Sequence, residues 1–359
     1  MTLKRIVCVG GDPGGANALA PVIARLRREG NAVEAFAYLQ AVSCWRDAGL
    51  RCSELPPDLL DSTISEIVSG ANLLLAGTSV NRYEFEKRFI CAASAQGIPS
   101  LALLDFWSNY SMRFSDASGN LAFLPDRIAV MDELARNEMI AEGIPPARIA
   151  ITGHPALDSL SGIRTTFASE KRLRIRESLG VGEADWLVLF ASQPPGFDES
   201  EPDPLPPWQD RRRIAANLSA ALQQAGKIHG RKTRLLIRPH PRENSDIFDE
   251  MKQKSVIVEK NGDRHELILC ADVVAGMNTM LLVEAAHLGR PTLSLRPHLP
   301  LPDPFPPNRS GLILPVYREE DLAPALESLL LGKAVEALPD SGEAAAKVAE
   351  LIHSMIGEK

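Results

Sequence analysis

The chain has 359 residues, of which 45% are hydrophobic and 24% charged. That balance excludes a disordered polymer, and the length accommodates two domains of ordinary size. A net charge of −7 disfavours general nucleic-acid binding, while still permitting a local basic pocket for one phosphorylated ligand.

Short apolar runs alternate with amphipathic stretches from the start. Residues 5–10 (RIVCVG) read as a buried strand and 16–29 as a helix with one apolar face. Further strands are expected at 33–38, 72–77, 100–105, 127–131 and 149–152, with helices between them, notably 83–96 and 133–143. The stretch 158–185, rich in Ser, Arg, Lys and Glu, reads as a helix and linker. The alternation then restarts, with strands at 187–191, 233–237, 255–259, 272–275 and 291–295 and helices at 209–227, 245–253, 263–270 and 280–288. Terminal helices are expected at 321–332 and 342–356, and proline-rich loops at 194–207 and 297–307. Continuous apolar strands separated by helices imply parallel sheets covered on both faces. Right-handed crossovers then put the functional loops at the carboxyl ends of the strands.

Cys8, Cys44, Cys52, Cys91 and Cys270 are scattered, odd in number and form no CxxC pair. They read as reduced thiols of a cytoplasmic protein, not as a disulfide framework or a zinc site, and no metal is expected. No apolar stretch is long enough to span a bilayer, and the chain runs from Met1 directly into a strand without a signal-peptide core. Peripheral membrane association and a homodimer are compatible with this composition.

Three motifs carry candidate chemistry. The first is Gly10-Gly11-Asp12-Pro13-Gly14-Gly15, between the first strand and the first helix. Its glycines allow close backbone approach to a ligand, and Asp12 is a candidate base for an attacking hydroxyl or simply a helix cap. The second is Arg238-Pro239-His240-Pro241 after the strand TRLLI, with Arg242 and Glu243 in the same loop. Arg238 and His240 are suited to phosphate oxygens. The third is the turn Gly276-Met277-Asn278-Thr279-Met280 between a strand and a helix, with Asn278 or Thr279 as cap and free amides behind it. Glu284 lies in that helix among apolar residues and needs a partner: a ribose diol, an arginine or solvent. Ser192 and Gln193 end the first strand of the second half. Asp105 and Trp107 follow another strand, with Trp107 either stacking on a sugar or packing in the core. His154, in Thr152-Gly153-His154-Pro155, sits near the hinge.

The glycine-rich loop, ITGHPALD at 151–158, LLIRPHPRE at 235–243 and DVVAGMNTMLLVEAAHLGRPTLSL at 272–295 together resemble the GT-B superfamily. The resemblance is to the branch of UDP-N-acetylglucosamine 2-epimerases, lipid-A-disaccharide synthases and bacterial surface-polysaccharide glycosyltransferases. It implies two Rossmann-like, doubly wound α/β domains facing a central cleft. They would comprise residues 1–160 on the acceptor side and 161–340 on the nucleotide side, with 341–359 crossing back to the first. It assigns the diphosphate to Gly276–Thr279 and the ribose to Glu284. The Arg-Pro-His-Pro turn is similar to that of transferases using CMP- or CDP-linked donors, where the histidine contacts phosphate.

The expectation is a metal-independent glycosyltransferase without cofactor. It would move a sugar from a UDP- or CMP/CDP-linked donor to a glycan, lipid-linked or small-molecule acceptor in surface-polysaccharide biosynthesis. Asp12 would be the base, and His240 and Arg238 would stabilise the leaving phosphate. The alternatives are a 2-epimerase-like isomerase or hydrolase, a CDP-linked glycerophosphotransferase, or a noncatalytic nucleotide-sugar-binding protein. The epimerases' His-Arg-Arg-Glu-Asn motif is replaced here by Ala-Ser-Gln-Pro-Pro-Gly after the strand LVLFA, which places transfer ahead of epimerisation.

Overall fold

A computed structural model describes residues 4–194, 204–240, 243–253, 255–332 and 342–357. Most of the proline-rich stretch 194–207, and Pro241 and Arg242 of the second motif, lie outside the described residues. The chain forms two units, Met1–Asp158 with Ser341–Lys359 and Ser159–Asp340.

Unit 1 holds seven strands: β1 (Arg5–Gly10), β2 (Ala32–Ala37), β3 (Ser53–Glu54), β4 (Leu73–Ala76), β5 (Ser100–Leu103), β6 (Arg127–Val130) and β7 (Ile149–Ile151). All pairs are parallel, in the order β3-β2-β1-β4-β5-β6-β7. Its helices are α1 (Pro13–Arg28), α2 (Ala41–Asp47), α3 (Asp61–Val68), α4 (Phe85–Ala95) and α5 (Glu133–Ala141). In β1 the alternation is complete. Ile6 and Cys8 pack with Leu19, Ile23 and Leu26 of α1 and Trp45 of α2, whereas Val7 and Val9 pack with Ile64 and Val68 of α3 and Phe85 and Phe89 of α4.

Unit 2 opens with α6 (Leu160–Thr166) and α7 (Ser169–Ser178) and repeats the plan with β8 (Trp186–Ala191), β9 (Thr233–Arg238), β10 (Val256–Val258), β11 (Val273–Gly276), β12 (Thr292–Leu295) and β13 (Leu314–Val316). The order is β10-β9-β8-β11-β12-β13, again parallel. Its other helices are α8 (Arg211–His229), α9 (Arg264–Cys270), α10 (Met280–His287), α11 (Pro306–Arg309) and α12 (Leu322–Leu331). Trp186, Val188 and Phe190 of β8 form one core with Ile214, Leu218 and Leu222 of α8 and Leu322 and Leu326 of α12. The last helix, α13 (Ala344–Gly357), belongs to unit 1, where Val348 and Ile352 join the α1 core. The Asp158 carboxylate receives the Ala344 and Ala345 amides at 3.0 and 2.7 Å, satisfying the donors that open this helix.

Several elements differ from the sequence reading. Helix α1 begins at Pro13, not at 16, because proline's fixed φ and missing N–H suit a first helical position. The stretch 245–253 forms 3₁₀ turns over Ser245–Met251 in place of an α-helix, started by the Asn244 side chain accepting the Asp246 amide. Strands β3 and β13 and helices α2 and α3 are too short or too polar to announce themselves.

Helix α7 has no apolar stripe and is held by charge. Arg176 is 1% exposed, donates to the carbonyls of Cys270, Gly182 and Asp185 at 2.7, 3.1 and 2.6 Å, and pairs with Asp272 at 3.3 Å. Asp272 also receives Arg172 at 3.1 Å and the Leu187 amide at 2.8 Å. Removing the guanidinium by Arg176→Ala takes a buried donor from three carbonyls and strands part of the Asp272 charge, with an expected loss of about 3 kcal/mol or more in urea denaturation. A loss below about 1 kcal/mol would show that α7 is held by something else.

Candidate functional site

In sheets of this strand order, β1 and β4, and likewise β8 and β11, are the neighbours whose connections leave in opposite directions. The carboxyl ends of these pairs form the natural ligand-binding crevice. The sequence motifs fall at both places.

In unit 1, Asp12 is the N-cap residue of α1 with extended backbone, yet its side chain makes no capping bond. The Asp12 amide donates to Ser79 Oγ at 3.0 Å, and Ser79 donates to Glu86 at 2.7 Å. The Tyr38 hydroxyl donates to the other Glu86 oxygen and accepts from Asn81 Nδ2 at 2.9 Å. Glu86 is buried. That burial pushes its carboxyl up to about 7, against the pull of the Tyr38 and Ser79 hydroxyls, with the Asp12 charge adding to the rise. The loop glycines are set by space. A Cβ on Gly11 would stand 2.2 Å from the Tyr38 ring, and one on Gly14 would stand 2.0 Å from Asp105 Oδ2. The Asp105 carboxylate therefore rests where a side chain on the first turn of α1 would be, at the positive end of the helix.

Asp105 is also paired with Arg113 at 2.8 Å and accepts from Thr78 at 3.3 Å. His154 Nε2 lies 3.0 Å from the Asp105 carbonyl oxygen, which a ring N–H must donate to. A Cβ on Gly15 would lie 3.8 Å from Gly77 Cα, an ordinary contact. The structure thus gathers Asp12, Gly14, Gly15, Asp105 and His154. Trp107 is buried beside them, with its indole N–H given to Asp132 at 2.8 Å, so it packs in the protein interior. Tyr38, Thr78, Ser79 and Glu86 were not singled out from sequence. The available signal was Gly77-Thr78-Ser79 directly after the apolar run LLLA, at the second strand of the crevice.

In unit 2, the Gln193 amide clips the turn after β11. Its oxygen accepts the Asn278 amide at 3.0 Å and its nitrogen donates to the Asn278 side chain at 2.6 Å. Thr279 is the N-cap of α10, with Oγ1 accepting from the Leu281 amide at 3.4 Å. The Thr279 and Met280 amides are among those that a helix start leaves without an intrahelical acceptor. A Cβ on Gly276 would meet the Ala191 carbonyl at 3.2 Å, which is why the turn packs so closely on β8.

Glu284 is buried with Arg264 at 3.0 Å and His265 at 3.2 Å. Burial alone would raise its carboxyl, but the Arg264 charge, together with the hydrogen bond and close approach of His265, outweighs it and holds the group below the ordinary carboxylate range. Arg238 donates to the Gly262 carbonyl at 2.6 Å. Its own pKa is lowered by burial and by Arg264. Glu243 gathers the rest: it accepts from Ser192 at 2.9 Å and from the His240 amide at 2.7 Å, and pairs with Arg211 at 2.8 Å. The resulting edge carries guanidinium, imidazole and amide donors, the groups that bind phosphate oxygens. Among the described residues no group of three or more His, Cys, Asp or Glu is placed to hold a metal ion, and no helix is long and apolar enough to cross a membrane.

No protein-family model matches the chain, and no curated protein matches it. Solved structures match over its whole length. The UDP-GlcNAc 2-epimerase of Neisseria meningitidis bound to UDP-GlcNAc has a TM-score of 0.71 at 13% identity, covering 98% of this chain and 100% of that one. MnaA of S. aureus with UDP has a TM-score of 0.71 at 14% identity, covering 99% and 97%. Anabaena Alr3699/HepE in complex with UDP and glucose has a TM-score of 0.62 at 13% identity, covering 98% and 95%. At such identity the likeness establishes the fold alone: this chain shares the α/β, Rossmann-like architecture of these structures.

Because the native fold raises the Glu86 pKa from 4.5 to about 7, it favours the protonated form. This contribution is complete below the unfolded value of 4.5 and is lost as pH rises through about 7, with a maximum of about 3 kcal/mol. Glu86→Gln should flatten the stability profile across that window in urea denaturation. Parallel profiles for variant and parent would refute the raised pKa.

Proposed function

We propose that the chain is a UDP-sugar enzyme, with epimerisation or hydrolysis of UDP-N-acetylglucosamine as its first reading. The observation that carries the nucleotide half is the capped start of α10, where the Thr279 and Met280 amides lie in the same unit as Arg238, His240 and Glu284. A diphosphate needs several fixed donors at a positive helix end, and this edge supplies them. Glu284, ionised and buried between Arg264 and His265, is the acceptor for ribose hydroxyls. The UDP and UDP-GlcNAc carried by proteins of like fold support uracil as the base.

Inverting a sugar carbon requires a proton to leave one face and return to the other, so acid and base groups are needed. Unit 1 contains Asp12 at the N-cap of α1, Asp105 at the α1 amino-terminus, and Glu86 titrating near neutrality. Glycosyl transfer to an acceptor hydroxyl is the second reading. It is favoured by Ala-Ser-Gln-Pro-Pro-Gly standing where the epimerases have His-Arg-Arg-Glu-Asn. In that case Asp12 is the base.

Thermal stabilisation by UDP, CDP, CMP, GDP and dTDP tests the nucleotide. A rise with UDP above the others is expected, because a ligand of the folded state alone stabilises it. A preference for CMP or CDP would move the reading to the Arg-Pro-His-Pro transferases. Proton NMR of UDP-GlcNAc incubated with the protein alone then separates the reactions: a new UDP-sugar or free UDP supports the first reading, and an unchanged spectrum favours transfer. Glu284→Gln should weaken UDP about tenfold in calorimetry, the cost of one charged hydrogen bond. Asp12→Asn should lower turnover more than affinity, and an Asp12→Asn enzyme with full turnover removes Asp12 as the base.

A further inference from the structure

A buried polar chain runs away from the α10 turn on the side opposite Gln193. Ser294, the third residue of β12, is fully buried and donates to the Met277 carbonyl at 2.5 Å. Its oxygen accepts from Asn308 Nδ2 at 2.9 Å, and the same nitrogen donates to Asp303 Oδ2 at 2.7 Å. Asp303 Oδ2 also accepts the Tyr317 hydroxyl at 2.9 Å, while Oδ1 accepts the Phe305 amide at 2.8 Å. Asp303 and Asn308 are 3% and 5% exposed. A carboxylate so deep is costly unless its lone pairs are met, and here three donors meet them with Arg296 close enough to act on its charge.

The geometry of the peptide unit gives this chain a consequence. The Met277 carbonyl and the Asn278 N–H belong to one planar trans peptide, so they point in opposite directions. Ser294 takes the carbonyl on one side and Gln193 takes the N–H on the other. The plane at the entry to α10 is thereby fixed from both sides. Its orientation sets where the next amides, of Thr279 and Met280, point. A hydrophobic contact would not fix that rotation, because it has no direction.

We propose that Ser294, Asn308 and Asp303 are positioning residues for the diphosphate-binding turn, transmitting the rigidity of β12 and the 303–308 loop to the amides at the start of α10. The proposal rests on the nucleotide reading given above. It predicts a selective defect: loosening the turn weakens the diphosphate but leaves the nucleoside alone.

The test is calorimetric titration of the full chain with UDP and with uridine, for the parent, Ser294→Ala and Asn308→Ala. Ser294→Ala removes one buried oxygen with almost no change in shape. The expected result is a UDP Kd raised about tenfold, the scale of one lost hydrogen bond, with the uridine Kd unchanged and a smaller loss of the same kind for Asn308→Ala. Hydrogen exchange supplies a readout free of ligand: the Asn278 amide, bonded to Gln193, should exchange faster in Ser294→Ala while the amides of β8 keep their protection. UDP and uridine weakened equally, or an Asn278 amide exchanging as in the parent, would overturn the positioning role and leave the nucleotide reading standing. A parent protein that binds neither UDP nor uridine would overturn the nucleotide reading and this proposal with it.

Discussion

The governing constraint is that both sheets are parallel and covered on both faces. Every side chain of β4, β5, β8 and β11 is buried, and their backbone groups are taken up by neighbouring strands. Such a strand has no room for chemistry along its length. Most candidate polar and charged groups gather where such a strand ends and a helix begins, because there the ladder stops and fresh amides are exposed. The candidate residues of this protein accordingly sit at strand ends and helix starts.

The two units use the same architecture for different chemistry. The carboxyl edge of unit 1 carries acids: Asp12, Glu86 and Asp105. That of unit 2 carries donors: Arg238, the His240 loop, the α10 amides, and Arg264 and His265 beside Glu284. Two buried carboxylates show how surroundings decide character. Glu86 is met by uncharged donors, the Tyr38 and Ser79 hydroxyls and its own backbone amide, so desolvation prevails and its carboxyl rises to about 7. Glu284 meets Arg264 and His265 and is held ionised below its ordinary range. Burial is nearly complete in both cases, and the partner's charge makes the difference.

The alternation of apolar runs and amphipathic stretches was enough to read nearly all the long elements, because continuous burial on two faces leaves an unmistakable apolar run. Very short elements such as β3 left no such trace. The candidate sites were half legible. Gly10–Gly15 and Gly276–Met280 stood out because glycine and capping residues cluster at strand-to-helix turns. Glu86 did not, since a glutamate in an amphipathic helix reads as solvent-facing until the fold buries it. Glu243 read as part of a charged loop, whereas in the fold it is the buried tie between Ser192, Arg211 and the His240 amide.

The sequence by itself determined the α/β class, the sites of the turns and the residue types at them, since these depend on local periodicity and backbone freedom. Only the tertiary structure decided which of those residues meet, what Gly11 and Gly14 make room for, and whether a carboxylate is neutral or ionised. Those properties depend on distances between segments separated by tens of residues and on exclusion of water from the space between them. Neither quantity is contained in the order of residues along one stretch of chain.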